Sequence, residues 1–477
     1  MNSKESKMGF RPKNKKWTSL MLVVALALTA IIPVNVLADD PLGLMAGTDP
    51  APAEPAEAPV ATEGEEGLTE PPVEEPPEEP VEEPSEDPIQ EPAGAPGEQG
   101  SAVQAFGAIT PMAAGDITVY TWSDLVKALD NSSYSRILVA TTLTATSNPT
   151  ISRPVEIDGI AGQNNTLNMQ GHGFTLGSRS AAATFTLSNL KVTKTGSGHL
   201  VSASSSGSSN WTVNFNGVTS TSAATSPLVS LANSVVNFTG TNNWTIPGTY
   251  TIISQTRHIN FTGGKTTLKG GNTIIESSLS DSSIDAKAGA DVTIYSTGTG
   301  NVETVYLHPS SGSAAVIATD GASLDISGWG YGSDSSGGTV CLVAPSGGFT
   351  IERGGKITVK SLLGSAGGTD GQPALVQQVS SGRFNVSGKG SELNLISYGN
   401  HNQYGATIRF RAVGDQRFNV DDGAVVNITK AARSGGRDAA AIRFGTGRGN
   451  EFHVKGGAQV YVTNFGNGAY ADATNSD

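Results

Sequence analysis

The arginines near the C-terminus are the side chains whose types and spacing point most clearly to chemistry. Ile408-Arg409-Phe410 and Ile442-Arg443-Phe444 repeat one pattern 34 residues apart, and Arg411 adjoins the first copy. If that interval is one structural repeat, Arg409 and Arg443 lie side by side on an outer surface. Because guanidinium groups donate paired hydrogen bonds to carboxylates and phosphates, Arg409, Arg411 and Arg443 are predicted to bind anionic polymers. Alternatively, these arginines only solvate exposed strands and pair with nearby aspartates. Further arginines would extend a basic strip: Arg417, Arg433, Arg437 and Arg448.

Carboxylates are candidates for catalysis or calcium binding, but none forms a diagnostic set. Glycoside hydrolysis needs two carboxyl groups about 5–10 Å apart across a cleft, which Asp291 and Asp325 could supply from adjacent repeats. Asp421-Asp422 is an adjacent acidic pair, but it precedes Gly423, where aspartate is favoured for local hydrogen bonding in a turn. We interpret all four as surface residues, and we predict no catalytic residue and no calcium site.

Histidine and cysteine give no sign of a metal centre or a nucleophile. The histidines show no close ligand spacing, and they are His172, His199, His258, His308, His401 and His453. The single cysteine, Cys341, stands in the apolar segment Thr339-Val340-Cys341-Leu342-Val343, where a small buried residue is the ordinary interpretation. We predict no metal and no cofactor.

The first 38 residues have the composition of a secretory signal peptide. Six basic residues precede an apolar run from Leu20 to Ile32, and cleavage is expected after Ala38. The apolar run is shorter than the roughly 20 residues that a membrane helix needs, so we predict a secreted product without a membrane span. A single cysteine allows no internal disulfide, which fits a Gram-positive exported protein.

Residues 39–115 form an acidic, proline-rich segment. They contain nineteen acidic residues and no basic residue, so we predict a disordered stalk or, alternatively, a mere solvated spacer. Residues 116–477 carry twenty-four basic and twenty-three acidic residues. This balance gives no electrostatic argument for nucleic acid binding.

The chain from Asp116 onward is predicted to begin with a short capping helix and to continue as repeated strands. Thr121 can cap a helix that buries Trp122, Leu125, Val126 and Leu129 on one side. Downstream, the pattern Val213-Asn214-Phe215-Asn216-Gly217 recurs twice, and its glycines, Gly217, Gly240 and Gly263, are 23 residues apart.

A second pattern, glycine followed by apolar residues three and five positions later, covers the C-terminal half. Its glycines are 32 to 36 residues apart, and they are Gly289, Gly321, Gly354, Gly390, Gly423 and Gly457. A unit of about 23 residues has room for three short strands, and the longer units carry an inserted loop. We therefore predict a single-stranded, right-handed parallel β-helix of about ten coils; an antiparallel β-sandwich is the rival fold.

Four segments precede the repeats: Thr121-Trp122-Ser123-Asp124-Leu125, Arg136-Ile137-Leu138-Val139-Ala140, Val155-Glu156-Ile157-Asp158-Gly159 and Thr166-Leu167-Asn168-Met169. Together with the repeats after them, they resemble the pectate-lyase-like adhesive domains of Gram-positive surface proteins. The resemblance covers residues 116–477 and implies a cell-surface adhesion module. No calcium-binding carboxylate cluster or proton-abstracting arginine of a pectate lyase can be matched by position, so the resemblance does not imply lyase activity.

The leading hypothesis is a non-catalytic adhesion module at the cell surface or in the cell wall. Its expected partners are polysaccharide, teichoic acid, or a glycan or protein on a host surface. The alternatives are a lyase or glycoside hydrolase acting on an anionic polysaccharide and a structural component of the cell wall. No LPxTG-type sorting signal precedes Asp477, so the last repeat is expected to continue in a longer protein or to be covered by a partner.

Overall fold

A computed structural model of the chain describes residues 114–163, 165–203, 210–298, 302–328, 338–362, 375–398, 406–410, 415–431, 441–444 and 449–464. These residues form a parallel β-helix, as predicted, in which successive coils pair strand on strand in parallel. The predicted signal peptide, residues 1–38, and residues 39–113 of the predicted stalk lie outside the described residues. None of the described helices is long and apolar enough to cross a membrane.

The strands lie on three faces, which the chain visits in turn within a coil. Face 1 contains β1 (Asp116–Val119), β2 (Arg136–Val139), β5 (Val155–Gly159), β8 (Ala183–Ser188), β11 (Trp211–Asn216), β14 (Val235–Thr239), β17 (His258–Thr262), β20 (Ser282–Lys287), β23 (Ser313–Ala318), the second parts of β25 (Val340–Ile351) and β27 (Leu375–Ser387), β30 (Arg417–Asp421) and β33 (Glu451–Val454).

Face 2 contains β3 (Leu143–Thr144), β6 (Thr166–Gln170), β9 (Lys191–Gly196), β12 (Thr219–Ala224), β15 (Asn242–Ile246), β18 (Lys265–Gly270), β21 (Asp291–Ser296), β24 (Ser323–Gly328), β26 (Lys356–Ser361), β28 (Glu392–Ser397), β31 (Val425–Lys430) and β34 (Gln459–Asn464). Face 3 contains β4 (Thr150–Ile151), β7 (Phe174–Leu176), β10 (Val201–Ala203), β13 (Val229–Leu231), β16 (Ile253–Ser254), β19 (Ile275–Ser277), β22 (Val305–Leu307), the first parts of β25 and β27, β29 (Ile408–Phe410) and β32 (Ile442–Arg443). The 12-stranded face 2 implies slightly more coils than the ten predicted.

Two strands join face 3 to face 1 without a break. The first part of β25 pairs with β22 on face 3, and its second part pairs with β23 on face 1; β27 follows β25 in register. This continuity explains why faces 1 and 3 form one 22-stranded sheet. Gly347 and Gly348 lie where β25 passes between the faces, and both have positive φ. A side chain at Gly348 would collide with the backbone carbonyl of Arg383, so the close approach of β25 and β27 requires glycine there.

The core is built from side chains that alternate inward along each strand and stack between coils. Phe238 lies between Phe215 and Phe261 on face 1, with ring centroids 5.3 Å and 5.2 Å away. Trp244 of face 2 meets Phe238 edge-on at 5.6 Å. All four rings are almost completely buried. Stability therefore comes from like residues packed coil on coil, each depending on its neighbours.

Helix α1 (Trp122–Asp130) covers the N-terminal end of this core. As predicted, Thr121 is its N-cap, and the Thr121 side chain accepts a hydrogen bond from the backbone NH of Asp124 at 3.1 Å. Trp122, Leu125 and Leu129 are buried, and Val126 packs against the core. The helix thus covers the apolar core at the first coil and shields it from solvent.

Both glycine patterns mark one structural corner, between face 1 and face 2. Gly217 follows β11 of face 1, and Gly289 precedes β21 of face 2. Both glycines have positive φ, as predicted for a turn. The added length of the later repeats lies elsewhere, between face 2 and face 3. There β18 ends at Gly270 and β19 begins at Ile275, whereas β24 ends at Gly328 and β25 begins only at Val340.

Two lysines lie inside the coil at the end of face 2. Lys194 donates from Nζ to the carbonyl oxygens of Gln170, at 3.3 Å, and His172, at 2.9 Å, both in the preceding coil. Lys430 is fully buried and donates to Ser397 Oγ at 3.4 Å. Burial lowers the pKa of Lys430 to about 8. These side chains tie the corner of one coil to the coil before it.

Candidate functional site: a polar ladder on face 1

The outer surface of face 1 carries a row of neutral polar side chains in register. We call Thr186, Asn214, Asn237 and Asn260 the polar ladder; they are direct register partners in β8, β11, β14 and β17. Their strands alternate, so Val213 and Phe215 point into the core while Asn214 points outward. The 23-residue repeat places chemically similar residues above one another in successive coils.

The ladder residues are hydrogen-bonded to one another along the coil axis. Asn237 donates from Nδ2 to Asn214 Oδ1 at 2.9 Å, and Asn260 donates from Nδ2 to Asn237 Oδ1 at 2.9 Å. Asn214 donates to Thr186 Oγ1 at 3.3 Å. Each amide has two donor hydrogens and two acceptor lone pairs, so one ladder bond on each side leaves one donor and one acceptor for a ligand.

A second row runs beside the ladder and widens the surface into a groove. Ser188, Asn216, Thr239 and Thr262 are register partners two residues further along the same strands. Together the two rows line a groove of about 520 Å³, with Glu156 and Lys287 near its ends. Amides and hydroxyls arranged in this way favour a ligand rich in hydroxyl groups over a highly charged one.

The ladder has a counterpart among the later coils of face 1. Asn419 donates from Nδ2 to Asn385 Oδ1 at 2.9 Å, in a second groove of about 500 Å³. Its charged lining is internally paired: Arg417 Nε and His453 Nε2 lie 3.2 Å and 3.1 Å from Glu451 Oε2. The remaining charged residues of this groove are Lys455 and Asp421, whose Nζ and Oδ2 are 2.8 Å apart, and Glu352.

The structure places the predicted arginine site on face 3. Arg409 in β29 and Arg443 in β32 are register partners in adjacent coils, as the 34-residue interval predicted. Arg411 lies outside the described residues, as do Arg433, Arg437 and Arg448. Arg417 belongs to face 1. Arg409 and Arg417 therefore do not share one strip, because β29 pairs with the face 3 part of β27 and β30 pairs with its face 1 part.

The carboxylates considered for catalysis have ordinary partners. Asp291 and Asp325 lie in adjacent strands, but Asp291 aligns with Ser323 and Asp325 aligns with Thr293, so the two are offset by two residues. Asp291 lies 3.5 Å from Lys265 Nζ, and Asp325 lies 2.9 Å from Lys360 Nζ.

The Asp421-Asp422 pair belongs to a turn. Asp422 has a φ of 51° immediately before Gly423, whose φ is 75°. Lys455 binds Asp421 and holds the pKa of that carboxyl below its usual range. In the described parts of the chain, no three His, Cys, Asp or Glu side chains are grouped as a metal site.

A small group of titratable residues lies on face 3 above Cys341, which is buried. Tyr306 in β22 aligns with Cys341 in β25 and stacks on His308 with ring centroids 4.1 Å apart. His308 Nε2 lies 3.5 Å from Glu276 Oε1. Burial raises the pKa of Glu303, and the nearby charge of Glu276 raises it further. Burial also raises the pKa of Tyr306. These side chains form a polar patch on face 3 beside the buried cysteine.

Sequence reasoning did not identify the polar ladder, although its signal is present in the printed sequence. Asn214, Asn237 and Asn260 occupy one position of the 23-residue repeat. The apolar residues and glycines of the repeat predict the coil. The polar position between two apolar residues is also constant, and it carries the surface chemistry.

Comparison with known proteins identifies a matching family model for the first part of the β-helix. No curated protein matches the chain, and no solved structure does. The matching region begins at β1 and includes the capping helix and the first strands of the polar ladder, β8 and β11. Residues 116–226, the first part of the β-helix, match the family model described as "Putative pectate lyase-like adhesive domain".

Proposed function

We propose that this protein is a non-catalytic adhesion module, exported to a Gram-positive cell surface, that binds hydroxyl-rich polymers through the groove on face 1. The polar ladder is the observation that carries this proposal. Three asparagines in consecutive coils present the same amide group at a spacing of about 4.8 Å. A repeating array of this kind matches a repeating ligand better than a single small molecule. The adhesive description of the matching family agrees with this function.

Because the side chains of the ladder are uncharged, neutral glycans are the first ligands to test. Its members are amides and a hydroxyl, and the adjoining row adds hydroxyls and one amide. Such groups exchange hydrogen bonds with sugar hydroxyls and gain little from a charged partner. Binding of this kind is weak per contact, so affinity comes from many coils acting together.

The test is retention of the purified protein on immobilised hydroxyethyl cellulose, xylan and galactomannan. Asn214→Ala, Asn237→Ala and Asn260→Ala combined should reduce retention several-fold. The matched control combines Asn394→Ala and Asn427→Ala, which removes an amide pair of face 2 joined by a 2.7 Å hydrogen bond. Equal retention of the ladder variant and wild type, with both folded, would refute the polar ladder as the binding site. New reducing ends appearing during the incubation would refute the non-catalytic assignment.

A second candidate ligand site is the arginine pair on face 3. The alignment of Arg409 with Arg443 in adjacent coils favours a ligand with regularly spaced phosphates or carboxylates, such as teichoic acid or an anionic glycan. Arg409→Gln with Arg443→Gln should reduce retention on lipid-free teichoic acid and leave retention on neutral polymers unchanged. Retention of this variant equal to wild type would exclude the pair from binding. Arg411 is a further position for the same substitution.

A further inference from the structure

The amide groups of face 1 fall into two separate segments on a single line. Following the register from the polar ladder, Asn260 aligns with Asp285, which begins a run without amides. The intervening positions are Asp285, Ile317 and Thr350. Thr350 then aligns with Asn385, which aligns with Asn419. The second amide segment therefore lies directly along the coil axis from the first.

A groove accompanies each segment, and both grooves open on the same face. The first is lined by the ladder and measures about 520 Å³; the second contains Asn385 and Asn419 and measures about 500 Å³. Seven strand-to-strand steps separate Asn214 from Asn419 along the register. At about 4.8 Å per step, the two segments together span roughly 34 Å.

We infer that face 1 binds one uncharged polysaccharide chain lying along the coil axis, with one contact segment at Asn214, Asn237 and Asn260 and a second at Asn385 and Asn419. This inference rests on the proposed function and specifies its ligand as a long chain. A short oligosaccharide reaches one segment only. A chain longer than the gap reaches both, and its second contact then forms at a high effective concentration.

The charges around the second segment favour an uncharged chain over a polyanion. Arg417 and His453 share Glu451, and Lys455 is paired with Asp421. A polyanion would have to displace these carboxylates to reach the cations, and Glu352 adds a further negative charge to the same groove. A neutral chain can hydrogen-bond to Asn385 and Asn419 while the ion pairs stay intact.

The residues between the two amide segments offer a polysaccharide few contacts, so each segment should bind the chain separately. Asp285 lies 3.5 Å from Lys287 and so has a partner, and Ile317 offers no hydrogen bond. A chain crossing this interval gains little there. The two amide segments should therefore contribute independently, and removal of either should leave the other functional.

The experiment measures affinity against chain length, using fragments of hydroxyethyl cellulose, xylan and galactomannan from disaccharides to long polymers. For the wild type, we expect affinity to rise steeply once the chain exceeds the span of both segments. Asn385→Ala with Asn419→Ala should weaken binding of long chains by about tenfold or more, while short fragments still bind at the ladder with unchanged affinity. Asn394→Ala with Asn427→Ala is the matched control on face 2, and circular dichroism with thermal melting confirms that each variant is folded.

The outcomes separate the inference from the proposed function. Affinity that does not depend on chain length, or long-chain affinity that is undiminished by loss of Asn385 and Asn419, would overturn the axial two-segment arrangement and leave adhesion through the ladder intact. Stronger binding of polygalacturonate than of any neutral polymer would overturn the uncharged ligand. No retention on any of the neutral polymers would overturn the proposed function as well as the inference.

Discussion

Asn237 is held between Asn214 and Asn260, donating to the first and accepting from the second, each at 2.9 Å. The three residues are 23 positions apart in sequence and adjacent in space. The outward-facing side chain of Asn237 is thus held in place by the equivalent asparagines of the two neighbouring coils. The ladder therefore orients its remaining hydrogen-bonding groups before any ligand arrives, which lowers the entropy cost of binding.

Replacement of Asn237 by aspartate should make stability depend on pH. A carboxylate at this position keeps the hydrogen bond from Asn260 Nδ2 but faces Asn214 Oδ1 with no donor between the two oxygens. We expect the repulsion between these oxygens to outweigh the bond from Asn260, so that the folded state raises the pKa of the new carboxyl. The folded protein then favours the protonated form, and stability falls as the pH rises through that pKa. Asn237→Asp should melt at a lower temperature at pH 7 than at pH 4, relative to wild type. Asn237→Ala, which cannot titrate, is the control, and parallel pH profiles for both variants would contradict the mechanism.

Replacement of Phe238 by alanine should be among the most damaging single changes. Its ring is buried and contacts Phe215, Phe261 and Trp244, so truncation removes contacts on three sides and leaves a cavity. We expect a loss of about 3–5 kcal/mol in the free energy of unfolding. Phe452→Ala is the matched control: this ring stacks on Phe418 at 4.7 Å and is 39% exposed. Denaturant titration should give a loss of about 1 kcal/mol or less for the control, and equal losses would contradict the packing argument.

Arg153 should be required for the capping helix to stay packed on the end of the core. Its guanidinium donates to the carbonyl oxygens of Ala128, Leu129 and Asn131 at 2.9, 3.1 and 2.8 Å, at the C-terminal end of α1. A lysine ammonium cannot reproduce this planar set of donors, so Arg153→Lys should restore little of the stability lost in Arg153→Ala. We expect a loss of about 2 kcal/mol in either variant. Hydrogen exchange should report faster exchange in α1 and unchanged exchange in β14, whereas protection of α1 as in wild type would contradict this role.

Lys430 should make the free energy of unfolding rise as the pH becomes alkaline. Its pKa is about 8 in the folded protein against 10.5 as the ordinary value, so the unfolded chain binds more protons between these limits. The free energy of unfolding therefore rises with pH across this window, by at most about 3 kcal/mol. Lys430→Met removes this rise. Thermal melts of both proteins from pH 7.5 to 10.5 test it, and an identical pH slope in the variant would show that another group is responsible.

The β-helix could be predicted from the sequence because each coil repeats the same pattern of apolar residues and glycines. Val236 and Phe238 face inward, Gly240 turns the corner, and Thr121 caps the helix, as their pattern indicated. The offset between Asp291 and Asp325 was also encoded, since they stand two and four residues after their glycines. That offset became clear only when the strands were paired.

Other features depend on three-dimensional relationships that the periodicity does not contain. The merging of face 3 with face 1 through β25 depends on the backbone path at Gly347 and Gly348. The separation of Arg417 from Arg409 depends on the pairing of their strands with the two parts of β27. Ion pairs such as Arg417 with Glu451 join residues one coil apart and follow from register, once the faces are known.

The constant interval between Asn214, Asn237 and Asn260 has a consequence for how this protein can change over generations. A duplication or deletion of one 23-residue unit in the gene keeps the hydrophobic stacking, the corner glycine and the ladder in phase. Such an event would lengthen or shorten the groove by one rung without a new folding problem to solve. Closely related strains should then differ in whole coils, so that the reach of the surface can be selected in discrete steps while its chemistry stays the same.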